Sequence, residues 1–310
     1  MKIAILGSGA MGSLFGGMLS QHGAEVVLFD INKAHVDAVN GKGLLIEESS
    51  TGEQTRVHPK ASTDPKSVEG SDYYIVFVKS TATEQVAKNF LPHTSRDTVV
   101  ITMQNGVGNE EILRGVFGEH RTAAGVTSQG ATYLGPGAIR HAGSGPTYLC
   151  MSDRNNKKLE PFLEVLNTSG FETHIEENIQ DLIWSKLIIN VGINALTALT
   201  GLHNGELLDY EDTKEIMKDL TDEAVAVAEA NNITLTHEDP LQTLYEVARK
   251  TEANRSSMLQ DFDRGSRTEI EFINFAIVRE GEKLGIPTPV NKTLARLVRT
   301  LDNYHAKEKK

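Results

Sequence analysis

The stretch Lys2-Ile3-Ala4-Ile5-Leu6-Gly7-Ser8-Gly9-Ala10-Met11-Gly12 opens the chain with a short β-branched and apolar run, a glycine-rich turn, and then a helical stretch through Gln21. An apolar run without alternation suits a strand buried on both faces of a parallel sheet. In the turn, Gly7 allows the tight bend, Gly9 lets the backbone approach a pyrophosphate, and Gly12 permits close packing of helix on strand. The amino end of the helix then faces the phosphate charge. A second apolar strand, Glu25–Phe29, ends at Asp30, where a carboxylate can accept both ribose hydroxyls of NAD. A glycine turn made for packing would explain the glycines but not the acid. Together the features predict dinucleotide binding by Gly7, Ser8, Gly9, Ala10, Met11, Gly12 and Asp30.

The strand-to-helix rhythm continues. Residues 73–78 form another buried strand, ending at Lys79-Ser80 before a helix over Thr83–Phe90, and residues 98–103 form the next, ending at Gln104-Asn105-Gly106-Val107-Gly108. Ligands of open α/β sheets bind beyond the carboxyl ends of strands, which is where Lys79 and Asn105 fall. Asn-Gly turn chemistry gives Asn105 a competing structural reason to be there. A helix over 159–166 and a last strand over 171–175 close a first domain at residue 176. From Ile179 onward the pattern is helical throughout, with periodic stretches at 212–230, 240–260, 268–284 and 291–304. The fold class predicted is α/β: an N-terminal Rossmann-type, doubly wound parallel sheet (1–176) and an all-α C-terminal domain (177–310).

Residues 182–202 form an apolar run of helical length whose polar members Lys186, Asn190 and Asn194 recur every fourth residue. That spacing stacks a lysine and two carboxamides along one stripe of a helix. Each buried polar group left unsatisfied costs roughly 1 to 3 kcal/mol, so the stripe needs partners, and a small polar substrate could supply them. Lys186 reaching water and asparagines bonding to nearby backbone is the plainer alternative. A membrane span is disfavoured by the lysine and asparagines within the run.

The remaining composition narrows the setting. At 310 residues with 39% hydrophobic content, two domains with substantial cores are expected. A formal charge of −11 argues against nucleic acid or an anionic membrane as partner. The basic tail 307–310 reads as a solvated terminus. The single cysteine, Cys150, points weakly to a reducing compartment, and the short apolar run before Gly7 is no signal-peptide core, so cytoplasm is the expected location. The ten histidines form no H-x-x-x-H or H-E-x-x-H pair, which gives a metal site no support. No G-x-S-x-G elbow is present. A homodimer is allowed and not required.

Several of these residues lie in longer stretches that resemble the ketopantoate reductase (2-dehydropantoate 2-reductase) family over nearly the whole chain. They are the opening K-I-A-I-L-G-S-G-A-M-G, V-K-S at Lys79, Q-N-G-V-G at Asn105, W-S-K-L-I-I-N-V-G-I-N-A-L-T-A from Trp184, N-G-E-L from Asn204, and S-S-M-L-Q-D-F with T-E-I-E-F-I-N between Ser256 and Asn274. The resemblance implies NAD(P)H-dependent reduction of the 2-keto acid 2-dehydropantoate to (R)-pantoate, a step toward coenzyme A. It implies Lys186 as catalytic acid and Glu269 as its assistant. It further implies Asn105, Asn190, Asn194, Asn204, Asn254 and Ser257 as substrate contacts, with Lys79 and Asn105 near the coenzyme. Without it, Glu269 reads as an exposed helical glutamate and Ser257 as an N-cap-like serine. The chemistry agrees, since hydride arriving at a ketone carbon makes an alkoxide that a lysine can both neutralise and protonate.

Three other readings compete. A D-2-hydroxyacid dehydrogenase on the same scaffold would act on branched or aromatic 2-keto acids; Asn204-Gly205-Glu206 and Asn254-x-Ser256-Ser257 argue for the hydroxyl-bearing ketopantoate. A β-hydroxyacid dehydrogenase would carry glycines just before the lysine, and residues 179–185 contain none. A non-catalytic dinucleotide sensor would have little use for a lysine with a glutamate partner. For the coenzyme, NADPH is the common family choice, with a basic residue at the end of the second strand. Asp30 at that place favours NADH, with Lys33 as the residue that could offset it.

Overall fold

Ile3 and Ile5 pack on one face of the first strand while Ala4 and Leu6 pack on the other, all of them buried, which is why the run shows no polar alternation. In the computed structural model, which describes residues 1–308, this strand, β1 (Lys2–Leu6), lies inside an eight-stranded sheet. The first unit comprises Met1–Gln104 and Asn109–Ile179. Its strands are β1, β2 (Glu25–Phe29), β3 (Leu44–Glu48), β4 (Gln54–Val57), β5 (Lys60–Ser62), β6 (Tyr73–Val76), β7 (Val99–Thr102), β8 (Thr122–Thr127), β9 (Gly130–Gly135), β10 (Ala138–Gly143), β11 (Thr147–Met151) and β12 (Thr173–Ile175). Its helices are α1 (Ala10–Gln21), α2 (Lys33–Lys42), α3 (Thr83–Phe90), α4 (Asn109–Phe117) and α5 (Glu160–Thr168).

The large sheet runs β12-β11-β8-β7-β6-β1-β2-β5, parallel except where β11 meets β8. Chain order reverses at β1, with β2 on one side and β6 on the other. The glycine turn therefore leaves β1 at the topological switch point, where doubly wound sheets bind ligands. A second sheet, β4-β3-β10-β9, is an addition that the sequence reading did not resolve.

The second unit comprises Asn105–Gly108 and Gln180–Lys310. It contains α6 (Ile179–Thr200), α7 (Glu211–Ala230), α8 (Pro240–Lys250), α9 (Ser257–Asp263), α10 (Asn274–Leu284) and α11 (Pro289–Glu308). By length and composition α6 could cross a membrane, yet 72% of its most apolar window is buried within the protein. Leu187, Ile188, Val191 and Leu196 join Leu220, Leu244, Ile277 and Val298 in the core of this unit. Lys309 and Lys310, the end of the basic tail, lie outside the described residues.

Three details differ from the periodic reading. The stretch 240–260 is two helices, because the backbone turns between Thr251 and Asn254 and Ser256 caps a new start by accepting from Leu259 N (3.1 Å). The stretch 268–284 becomes helical only at Asn274, preceded by a short 3₁₀ turn at Ile270–Phe272. The chain divides after Ile179, not 176, and the loop Asn105–Gly108 groups with the second unit. There Val107 N donates to Phe272 O (3.0 Å), and Gly106 lies so close that a Cβ would stand 2.2 Å from that oxygen.

Candidate active site

In the first unit the glycine turn has the shape that an anion requires. Gly7 has φ +94°, and a Cβ on Gly12 would lie 2.0 Å from Gly7 O, so neither tolerates a side chain. Above Gly9 a Cβ would meet nothing within 4 Å. No side chain caps the amino end of α1 and no acid stands in its first turn, leaving a positive helix end beside open backbone. Ser8 is buried, Gly9 exposed, and Ala10 and Met11 half-buried. Asp30 is tied into this turn: one carboxylate oxygen accepts from Ser8 N (2.8 Å) and Ser8 Oγ (3.3 Å), the other from Asn32 N (2.8 Å). A carboxylate has about four lone-pair sites, so capacity is left for ribose hydroxyls. Lys33 extends along α2 to Asp37 (2.6 Å). Lys79 stands exposed just beyond β6. These residues fit a dinucleotide.

In the second unit α6 presents the stripe. Lys186 and Asn190 are half-buried and Asn194 is buried. Ser185, beside the lysine, is occupied structurally: its Oγ donates to Asp181 O (2.7 Å) and accepts from Thr236 N (2.9 Å). Burial pulls the Lys186 ammonium down from its ordinary 10.5 to about 8, while the negative charge of Glu269 pulls it back up. A lysine so placed is protonated at neutral pH and a far better acid than one in water.

Glu269 is not an exposed helical glutamate. It is buried, and it precedes the 3₁₀ turn that receives the Asn105–Gly108 loop. Ser257 is not the cap of α9 either. Ser256 takes that role, leaving Ser257 exposed as the first helical residue. Ser256 Oγ also lies 2.6 Å from Thr197 Oγ1, and Thr197 Oγ1 lies 3.0 Å from Asn194 O. Thr197 Oγ1 donates to Ser256 Oγ, with the carbonyl oxygens of Ile193 and Asn194 as competing acceptors for the same proton, and Ser256 Oγ also accepts from Leu259 N.

Asn204 N donates to Asn254 O (3.0 Å), joining the two asparagine loops. Thr251 Oγ1 donates to Val247 O (2.7 Å), so Asn204 Nδ2 must be the donor to Thr251 (2.9 Å). That orientation leaves Asn204 Oδ1 buried with no partner among the described residues. Asn254 itself is exposed. A backbone bond thus joins the Asn204 and Asn254 loops, Thr197 links the backbone of α6 at Asn194 to Ser256, the residue before Ser257, and Lys186 lies under the charge of Glu269. Among the described residues no group of three His, Cys, Asp or Glu could hold a metal ion.

Comparison with known proteins decides the family. A model described as Ketopantoate reductase PanE/ApbA matches residues 3–153, and its C-terminal counterpart matches residues 178–302. The chain belongs to the ketopantoate reductase family. A 2-dehydropantoate 2-reductase from Halobacterium salinarum is 34% identical over 301 residues, covering 96% of this chain and 98% of the relative. The crystal structure of a PanE/ApbA family ketopantoate reductase from Ralstonia eutropha matches with TM-score 0.90 at 35% identity, covering 99% and 100% of the two chains. A ternary structure of D-mandelate dehydrogenase with NADH and anilino(oxo)acetate matches with TM-score 0.92 at 29% identity, again over 99% and 100%.

Membership of the ketopantoate reductase family makes this chain a dinucleotide-binding reductase. Thr197 and Ser256 link α6 to the start of α9, a role that no local pattern in the sequence marks. In the sequence, Thr197 continues the i, i+3 face of Asn194 and Ser256 precedes a helical run.

Proposed function

We propose that this chain reduces 2-dehydropantoate to (R)-pantoate, a step of pantothenate and coenzyme A biosynthesis. The observation that carries the reading is Lys186, lowered to about 8 by burial and partnered by the charge of Glu269, on a stripe with Asn190 and Asn194. A bound nicotinamide dinucleotide supplies the hydride. As the ketone carbon takes up that hydride, negative charge develops on its oxygen; the Lys186 ammonium first stabilises this charge and then donates its proton. The lysine is reprotonated from solvent before the next turnover. Glu269 keeps Lys186 protonated against its burial, and Asn105, Asn190, Asn194, Asn254 and Ser257 hold the substrate without adding charge.

Asn204 supports the hydroxyl-bearing substrate. Its buried Oδ1 is an acceptor, so it fits the substrate hydroxyl as donor and would repel a carboxylate. The glycine turn, with Lys79 and Asn105 beyond their strands, holds the coenzyme. Asp30 favours NADH: a 2′-phosphate about 4 Å away would cost roughly 1 to 4 kcal/mol per unit charge. Lys33 is the residue that would offset this, since its exposed pair with Asp37 holds it only weakly.

A second reading, a D-2-hydroxyacid dehydrogenase, is favoured by the likeness to D-mandelate dehydrogenase. Steady-state assays with NADH and NADPH against ketopantoate, 2-ketoisovalerate and phenylpyruvate separate the two. Preference for ketopantoate by orders of magnitude is expected. Equal rates on ketopantoate and 2-ketoisovalerate, or preference for phenylpyruvate, would establish the second reading.

A further inference from the structure

Glu269 sits in irregular backbone, and what holds that backbone is α11. On the amino side, Thr268 Oγ1 donates to Asp302 (2.8 Å), and Thr268 N bonds both carboxylate oxygens (3.3 Å each). On the carboxyl side, Arg299 grips Glu271 with two bonds (2.7 and 2.8 Å) and lies 3.7 Å over the Phe275 ring. Arg279 adds a bond to Glu271 O (2.6 Å). Arg299 and Asp302 are three residues apart and share one face of α11. The Arg299 pair is substantially exposed, so its contribution is modest. Asp302 is the stronger hold, because a partly buried carboxylate bonded to both a backbone N–H and a hydroxyl resists displacement. Arg267 and His305 are the charged groups around it.

We propose that Asp302 is a positioning residue: by holding Thr268 it fixes where the Glu269 carboxylate stands toward Lys186. The inference rests on the assignment of Lys186 and Glu269 made above. Asp302 touches neither substrate nor coenzyme in this role and acts only through the segment it holds.

The test is the alkaline limb of kcat/KM against pH in the full-length enzyme. Glu269→Gln should move the break downward from the wild-type value, because Lys186 loses its supporting charge. Asp302→Ala should move it the same way, by no more than Glu269→Gln does. In the double variant Asp302→Ala with Glu269→Gln, no additional shift is expected. Asp302→Asn keeps an acceptor for Thr268 N and a donor for its hydroxyl, so it should restore the wild-type break. The proposal is overturned if Asp302→Ala leaves the break in place while Glu269→Gln moves it. It is equally overturned if Asp302→Asn shifts as far as Asp302→Ala, which would mean that charge alone matters. A break unmoved by Glu269→Gln would overturn both the proposal and the site assignment. If Asp302→Ala fails to fold, Thr268→Val replaces it in the same scheme and carries the same expected shift.

Discussion

Lys186 carries the sharpest expectations at the scale of a single residue. With its proton lost near pH 8, kcat/KM for reduction should be flat at neutral pH and fall tenfold per unit above about 8, as the donor disappears. Lys186→Ala should lower kcat by about 10² to 10⁴-fold with coenzyme affinity nearly unchanged, measured by turnover and by NADH fluorescence titration. Near-normal turnover would remove Lys186 from the chemistry. Asn204 is tested by ratio: Asn204→Ala should reduce kcat/KM on ketopantoate by about 10- to 100-fold more than on 2-ketoisovalerate, matching roughly 1 to 3 kcal/mol for one buried bond. An equal loss on both acids would mean that Asn204 only braces Thr251. Asp30→Ala should shift the NADH to NADPH ratio toward NADPH, and an unmoved ratio would remove Asp30 from coenzyme choice.

Glycines that look alike in a motif part company at the scale of an element. Gly12→Ala would push a methyl to 2.0 Å from Gly7 O, so α1 must move off β1, and a fall in melting temperature is expected. Gly9→Ala meets nothing within 4 Å. It should leave stability within about 0.5 kcal/mol of wild type, the range of an unobstructed substitution, and weaken coenzyme binding. Normal NADH affinity in Gly9→Ala would show that the open space above this glycine is not used. The turn, β1, β2 and the α6 stripe were legible because each is written in neighbouring residues: periodicity, punctuation and one terminal acid. The break after α8 was not. Thr251-Glu252-Ala253-Asn254 has no strong helix breaker, and the turn is stabilised from elsewhere, by Asn204 N on Asn254 O and Gly205 N on Glu252 O. The hold of Asp302 on Thr268 spans 34 residues and leaves no local trace. Glu269 and Ser257 enter the candidate site only through the family stretches that contain them.

The pH dependence of stability belongs to the whole molecule. Lys186 titrates near 8 when folded and near 10.5 when unfolded, so between these values the unfolded chain binds more protons and stability rises with pH. Below pH 8 the cost of burying the ammonium is fully present. Lys186→Met should therefore be more stable than wild type at pH 7 and should lose this rise between pH 8 and 10.5, read from denaturant midpoints. A wild-type midpoint that falls through that window at the same slope as Lys186→Met would mean that the lysine is not desolvated.

The loop Asn105–Gly108 sets a rule for recombining relatives of this chain. A chimaera spliced once, at 179, would inherit that loop from one parent and Phe272 from the other, and the bond from Val107 N together with the bare backbone of Gly106 would meet a foreign surface. Shuffled genes should yield well-behaved protein when residues 105–108 travel with the carboxyl-terminal half. To a breeder of chimaeras this protein is four cassettes, and the smallest is four residues long.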